Sequence, residues 1–358
     1  MKKWMKWLLM LGMVSSLLFS AATASAEGEL VPIETLKPAK PMEKPILTPT
    51  GGVLILSDSP ESPKTEGAFY RDQVSGLFRV FWHHANMTGA PLNIAVAVTN
   101  PTDEPVWLYT EGKGIGVDYY PDIAGQTALA DFMDTRSNRK PTAVLQPGET
   151  YYIENEAPPE YTVSGIVQLH AVTPQGKDDA IVTVTTLGYF HKPEHPEEVE
   201  VLPGDVHVRG TFPHFERTGT LTYNTSAGNS LIRISSAASG PWSDSMPGEY
   251  ETGYNVIDGK SVVNNGNYGV TYNLSVEINN ESNSSQIISV YDNPSGGAGH
   301  YVVEWGGLLL QSPFVNYTKA WKITDFKVNK HGKTIAANFS LTGGAAGPQT
   351  LYFTASER

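Results

Sequence analysis

The sequence predicts an all-β protein built from two β-sandwich domains, immunoglobulin-like or jelly-roll-like, and three observations predict it. Glycine (34) and proline (25) are plentiful while charged residues make up 17% and aromatics 10%, a balance that suits short strands broken by turns better than helices. Segments of alternating apolar and polar residues recur through the chain, as strands with one wet face require. The third observation is an internal echo. Residues 92–109 form an alternating run, a polar turn at Asn100-Pro-Thr-Asp103 and a second apolar run ending in Tyr109; residues 272–291 repeat the scheme around Asn279-Asn-Glu-Ser282. Each copy reads as a β-hairpin, and two copies suggest two sandwiches. The 358 residues leave room for two domains of about 150 each.

Taken in order, residues 1–26 have a basic start (Lys2, Lys3, Lys6), an apolar stretch and an Ala24-Ser-Ala26 end, the pattern of a cleaved secretory signal peptide. Residues 27–50 carry Pro32, Pro38, Pro41, Pro45 and Pro49 and are expected as a semi-extended linker. The first sandwich is placed at 51–196. Its strands are expected at Val53-Leu-Ile-Leu56, at 78–84, in the hairpin, at 163–172 and at 181–189, with a proline–glycine turn inside Leu145-Gln-Pro-Gly-Glu149. Between 112 and 135 the alternation breaks. Gly112, Gly114 and Gly116 read as a flexible loop, and 124–133 as the one convincing helix, with Leu129, Phe132 and Met133 on a shared face. An acidic, proline-bearing junction at 193–198 separates the second sandwich, 197–358, where seven or eight short strands alternate with Gly, Asn and Ser turns.

Composition also excludes several functions. The chain has no cysteine, so disulfides, thiolate zinc sites, thiol catalysis and a lipidated cysteine are ruled out. Its net charge of −12 becomes −15 once the three leader lysines are gone, and such a surface does not seek nucleic acid. There is no Gly-x-Ser-x-Gly elbow and no His-Glu-x-x-His pair. Gly112-Lys-Gly-Ile-Gly116 lacks the Gly-Lys-Ser/Thr end of a phosphate loop.

The remaining candidates are few. His83 and His84 are adjacent on a strand and point to opposite faces, so at most one could join His170 around a metal. His191 and His195 flank Glu194 in a stiff, solvated joint. Asp118, Asp122, Glu154 and Glu156 could supply the paired carboxylates of a glycosidase, yet scattered acids are ordinary in so acidic a chain. Tyr119 and Tyr120 beside the Gly-rich stretch, and Trp242 in the Gly240-to-Gly248 loop, could stack on a sugar face or lie back over the core. Seven Asn-x-Ser/Thr sequons, at Asn86, Asn224, Asn273, Asn280, Asn283, Asn316 and Asn338, read as products of Asn- and Ser/Thr-rich turns and strand faces.

Asp58-Ser-Pro-Glu61, Tyr70-Arg-Asp72, Arg79-Val-Phe-Trp-His-His84, the run 93–100, Asn267-Tyr-Gly-Val-Thr-Tyr272 and Pro294-Ser-Gly-Gly297 resemble secreted β-rich proteins of Gram-positive bacteria, some of which carry a copper-amine-oxidase-like N-terminal stalk domain. The resemblance spans most of 51–358 and implies secretion and a β-rich fold, with no activity. Copper amine oxidases need a Tyr in an Asn-Tyr-Asp/Glu context; Asn267-Tyr268-Gly269 and Asn316-Tyr317-Thr318 lack the acid, so oxidase chemistry is rejected.

The expectation is therefore a secreted, non-enzymatic structural or interaction protein of the cell envelope or extracellular matrix, with no cofactor and no transmembrane segment in the mature chain. A cell-wall glycan or another envelope protein is its expected partner. One alternative is a glycan-binding protein using Tyr119, Tyr120 or Trp242; another is a metal-assisted hydrolase centred on His83, His84 and His170.

Overall fold

The computed structural model describes residues 28–174, 176 and 178–357, so the expected signal peptide lies outside the described residues. The described residues are all-β apart from one α-helix, α1 (Pro121–Thr135), and three short 3-10 turns. No helix among the described residues is long and apolar enough to cross a membrane.

Two sandwiches are present. In the first, strand Gly67–Ala85 serves both layers. Its upstream half pairs with Ile181–Tyr189, which continues to Leu92–Thr99 and Thr150–Ala157. The downstream half pairs with Thr162–Val172 and, in parallel, with Val53–Ser57. The chain turns between layers at Gly76, whose φ of +69° is open to glycine at little strain. Phe69, Trp82, Val96, Val98, Val167 and Val184 fill the space between the layers. In the second sandwich two six-stranded sheets, centred on Gln286–Pro294 and on Thr271–Asn279, enclose Tyr223, Tyr272, Trp305, Phe339 and Phe353.

Both echoed segments are connections between layers, not hairpins. Leu92–Thr99 and Val106–Asp118 lie in opposite layers of the first sandwich, and Thr271–Asn279 and Gln286–Pro294 in opposite sheets of the second. A buried asparagine makes each crossing. Asn100 accepts from the Thr102 backbone N–H and hydroxyl (2.9 and 2.7 Å) and donates to the carbonyls of Glu104 and Leu145 (2.8 and 3.0 Å). Asn280 accepts from the Ser282 N–H and hydroxyl (3.1 and 2.8 Å) and donates to Ser284 and Val328 (2.8 and 3.4 Å). Asn86 repeats the pattern with Thr88, Ala90 and Ala157. One carboxamide thus satisfies both the turn and the carbonyl of a neighbouring strand end, where water is excluded. The sequons at Asn86 and Asn280 belong to this device: their amide nitrogens are buried and already donate. Asn280→Ala is expected to lower unfolding free energy by about 2 to 3 kcal/mol, because buried carbonyls lose their donor. Urea denaturation measures it, and a loss below about 0.5 kcal/mol, the size of an ordinary surface substitution, would contradict this account.

The proline-rich stretch expected as a linker is instead paired to the second sandwich. Leu30–Pro32 pairs with Lys319–Val328, Lys40–Pro41 with Ser230–Ile234, and Thr48–Thr50 with Glu216–Asn224. Proline is tolerated there because edge strands leave one side of the backbone without a ladder. The exchange runs the other way too. Arg209–Phe212, Thr252–Asn255 and Lys260–Val263, from the C-terminal half, extend the first sandwich beyond Val53–Ser57.

The Gly112–Gly116 stretch, expected as a flexible loop, is part of strand Val106–Asp118. Its alternate glycines face α1: a Cβ at Gly114 would lie 1.9 Å from the Ala128 carbonyl oxygen, and one at Gly116 2.0 Å from that of Ala124. Strand period two meets helix period four, and backbone rests on backbone. The helix in turn covers a third apolar cluster between the sandwiches, where Leu54, Leu56, Phe81 and Phe212 meet Leu129, Phe132 and Met133 and, from the other side, Phe215, Val270 and Val302.

Candidate functional site

The helix and both sandwiches converge on one loop, Gly343-Gly-Ala-Ala-Gly347. A Cβ at Gly343 would fall 2.6 Å from Ser164 Oγ and 2.9 Å from His83 Nδ1; one at Gly344 would meet the Pro121 and Asp122 backbone at the start of α1. The loop therefore sits against the first sandwich and the helix with no room for side chains at its first two positions. Two hollows open on either side of it, and Tyr268 lines both.

The first hollow, about 280 Å³, is lined by Asp58, Glu61, Phe81, His83, His207 and the loop. Asp58 Oδ1 is cut off from solvent and has no hydrogen-bond partner, and neither has His83 Nδ1. Burial pushes the Asp58 carboxyl well above the usual range, and the negative charges of Glu61 and Asp205 push it further. Burial, helped by neighbouring His207, pulls His83 down to about 4, so its ring is neutral at physiological pH. Burial acts on Asp205 as well, but hydrogen bonds from the backbone N–H groups of His207 and Glu61 and from the Ser59 hydroxyl outweigh it and hold that acid low. His207 bridges Glu61 and Asp205, each at 3.1 Å. Tyr268 OH donates to the Ala345 carbonyl at 2.8 Å, fixing one wall.

The second hollow, about 200 Å³, is lined by Ser235, Ser236, Trp242, Asn265, Tyr268 and Pro348 among others. Trp242 is 59% exposed, and its six-membered ring lies near the Gly296 backbone, 3.5 Å from where a Cβ there would sit.

The residues singled out in the sequence distribute unevenly. Tyr119 and Tyr120 are 52% and 60% exposed; their rings meet edge to face at 5.4 Å, and Tyr119 meets Tyr161 at 6.0 Å. They immediately precede Pro121, whose backbone touches the Gly343–Gly347 loop. The histidine trio does not assemble. His84 is fully buried on the opposite face from His83, as strand alternation requires: its Nδ1 donates to the Pro60 carbonyl (2.8 Å), so Nε2 accepts from Ser57 Oγ (3.0 Å). Burial brings His84 down to about 3. That serine–histidine pair is sealed beside Phe69 and has no path to a substrate. His170 pairs in register with Leu77 and His83 with Ser164, a separation of six residues or about 20 Å along the sheet. His170 is held between Glu111 and Asp179 at 3.5 and 3.3 Å. Among the described residues no three metal-ligating side chains are grouped for an ion.

Sequence reasoning passed over Asp58, Glu61, His207 and Tyr268. Asp58 and Glu61 stood in a quoted motif, but only the turn of the chain through 205–208 brings His207 to them. The one local signal was the Asp58-to-Glu61 spacing inside a proline-bearing turn.

No family model and no curated protein matches the chain. Among solved structures, it is similar to the N-terminal CBM22-1-CBM22-2 tandem domain of Xyn10C from Paenibacillus barcinonensis, at 8% identity over 90% of this chain and 92% of that one, with a TM-score of 0.13. So loose a superposition carries no argument about this chain.

Proposed function

We propose that this chain is a non-enzymatic binding protein of the bacterial cell exterior that holds a glycan along the loop 343–347, with Trp242 as its stacking platform. The observation that carries this reading is an exposed indole at the mouth of a hollow rich in hydroxyl and amide groups. Indole gains most when a flat apolar face covers it, and the C–H face of a pyranose offers one while its hydroxyls find the exposed Asn265 carboxamide. The Tyr119–Tyr120–Tyr161 cluster, beside the other flank of the same loop, offers a second platform for a longer chain. The dispersed histidines give no support to a metal-assisted hydrolase.

Purified protein should be retained by at least one insoluble or soluble polysaccharide in a panel that includes peptidoglycan. Trp242→Ala should weaken that binding by about 30-fold, the effect of a buried tryptophan anchor, while leaving the melting temperature unchanged. Absence of binding across the panel, or undiminished binding by the variant, would remove the proposal.

A further inference from the structure

This acidic chain, with a net charge of −12, keeps a patch of positive charge on the open flank of the first sandwich. Strand Lys140–Leu145 is the edge of its sheet and pairs with Val106–Asp118 only as far as Thr110, opposite Lys140. Beyond that point the flank is uncovered. Lys113 lies there, directly opposite the buried Val167 and in phase with Ile115 and Val117, which pack on the core. Strand alternation thus gives a lysine a core-facing position, and the missing neighbour strand lets it reach water. Its backbone is held in place, because the Lys113 N–H donates to the Thr135 hydroxyl at 2.9 Å. A hollow of about 370 Å³ opens beside it, lined by Thr110, Lys113, Asn138, Lys140, Thr142 and Tyr151 among others. No carboxylate lines it, and neither lysine has an ion-pair partner among the described residues. Glu111, the acid nearest to Lys113 in the chain, is taken by Arg139 and His170 at 3.9 and 3.5 Å.

Pro141 and Thr142 also line a second, apolar hollow of about 390 Å³, together with Trp107, Tyr109 and Val144. Trp107 stands directly opposite Val144, and the two are 36% and 52% exposed. Arg139 lies over the Tyr109 ring, 4.3 Å from its centroid, and adds a third cation to the rim. We infer that these two joined hollows bind an acidic polysaccharide, with a sugar ring on Trp107 and Val144 and a carboxylate or phosphodiester between Lys113 and Lys140. An ammonium is a compact charge on a flexible stem, so it follows either anion without demanding one geometry. The aromatic and aliphatic side chains supply the flat apolar contact that ring C–H groups need, and the exposed Asn138 carboxamide offers a donor to a hydroxyl. An acidic peptide fits less well. It would add to the edge strand through backbone hydrogen bonds, but Pro141 has no N–H to give and Lys140 guards the same edge. The site shares no lining residue with the hollows beside Trp242, so it goes beyond the glycan reading above and stands apart from it.

Titration calorimetry of the full chain at low ionic strength tests this with an oligogalacturonate against its methyl ester, and with a phosphorylated oligomannose against its dephosphorylated form. At least one acidic member should bind about 10-fold more tightly than its neutral partner, as two exposed ion pairs allow. That preference should shrink as salt is added, and the member that shows it says whether carboxylate or phosphate is the group recognised. Lys113→Gln combined with Lys140→Gln should erase the preference and leave the melting temperature unchanged, because both side chains are exposed. Lys330→Gln, which removes an exposed charge from the second sandwich, should do neither. Trp107→Ala should weaken the acidic member by a similar factor, and Trp242→Ala should leave the preference intact. Equal affinity for acidic and neutral forms, or a preference that survives the double lysine variant, would overturn the site. So would polyglutamate binding as tight as that of the acidic sugars, which would favour a peptide, and so would a preference abolished by Trp242→Ala, which would return the acid to the loop 343–347. If Trp242 proves idle toward every neutral glycan, the earlier reading falls while this one stands.

Discussion

Arg79→Met is expected to destabilise the protein by about 3 to 5 kcal/mol, the range for removing one member of a buried charged network. Arg79 is 1% exposed and belongs to the first sandwich. Its Nη1 donates to the carbonyls of Phe215 and Gly269 (3.1 and 2.9 Å) and to the Thr271 hydroxyl (2.9 Å), all in the second. Nε and Nη2 both donate to Gln168 Oε1 (3.3 and 2.8 Å), and Glu216 stands 3.7 Å away. The guanidinium lies between the rings of Phe132 and Phe215, 4.8 and 4.2 Å from their centroids. Burial brings its pKa down to about 9, with Glu216 opposing, so the group remains charged at neutral pH. Methionine fills the stem volume but leaves three carbonyl or amide acceptors without a donor. Denaturant melts should show the midpoint falling and the two sandwiches separating into distinct transitions. Arg79→Lys should recover only part of the loss, since a point charge cannot fork to both sides. A single, unshifted transition in the methionine variant would show that the arginine does not join the halves.

Gly114→Ala should cost about 3 kcal/mol, an effect out of proportion to one methyl group. The added carbon would lie 1.9 Å from the Ala128 carbonyl oxygen and 2.5 Å from the Phe132 nitrogen, and helix backbone cannot rotate aside as a side chain can. The helix must lift. Lifting it draws Leu129 and Phe132 out of the cluster between the sandwiches and strains the 2.6 Å Arg136–Glu304 ion pair, along with the hydrogen bonds from Gln126 to the carbonyls of Tyr301 and Ser312. The neighbouring exposed Lys113, changed to alanine, should stay within about 0.5 kcal/mol of wild type. Thermal melts of the two variants side by side decide the matter; equal melting temperatures would mean that helix and strand are not in backbone contact.

Local features were well declared by the sequence. Pro147-Gly148 forms the expected turn, with Gly148 at φ +76°. The strands read at 163–172 and 181–189 appear as Thr162–Val172 and Ile181–Tyr189, and the helix read at 124–133 as Pro121–Thr135. The opposite facing of His83 and His84 followed from strand alternation alone. These features depend on interactions within a few residues, where periodicity and turn chemistry speak directly.

Residues 92–109 and 272–291 show where that reach ends. A polar turn between two apolar runs looks the same whether the runs pair with each other or cross to opposite sheets. The crossing is settled by what Asn100 and Asn280 reach: Leu145 and Val328, both 45 or more residues away. The proline-rich start looked like a linker because proline forbids a central strand, yet edges of the distant second sandwich accept it. Alternate glycines looked flexible because a missing side chain is silent until the helix that fills the space is known.

By itself, then, the amino-acid order determined the all-β class, the turn and helix positions, and the exclusion of thiol chemistry, since each follows from composition or from neighbours along the chain. Only the tertiary structure decided which strands share a sheet and how the N-terminal arm is used. It also brought Asp58, Glu61, His83, His207 and Tyr268 to one hollow, with Trp242 beside it. Those residues lie up to about 210 positions apart, and their meeting depends on layer crossings that no local pattern encodes.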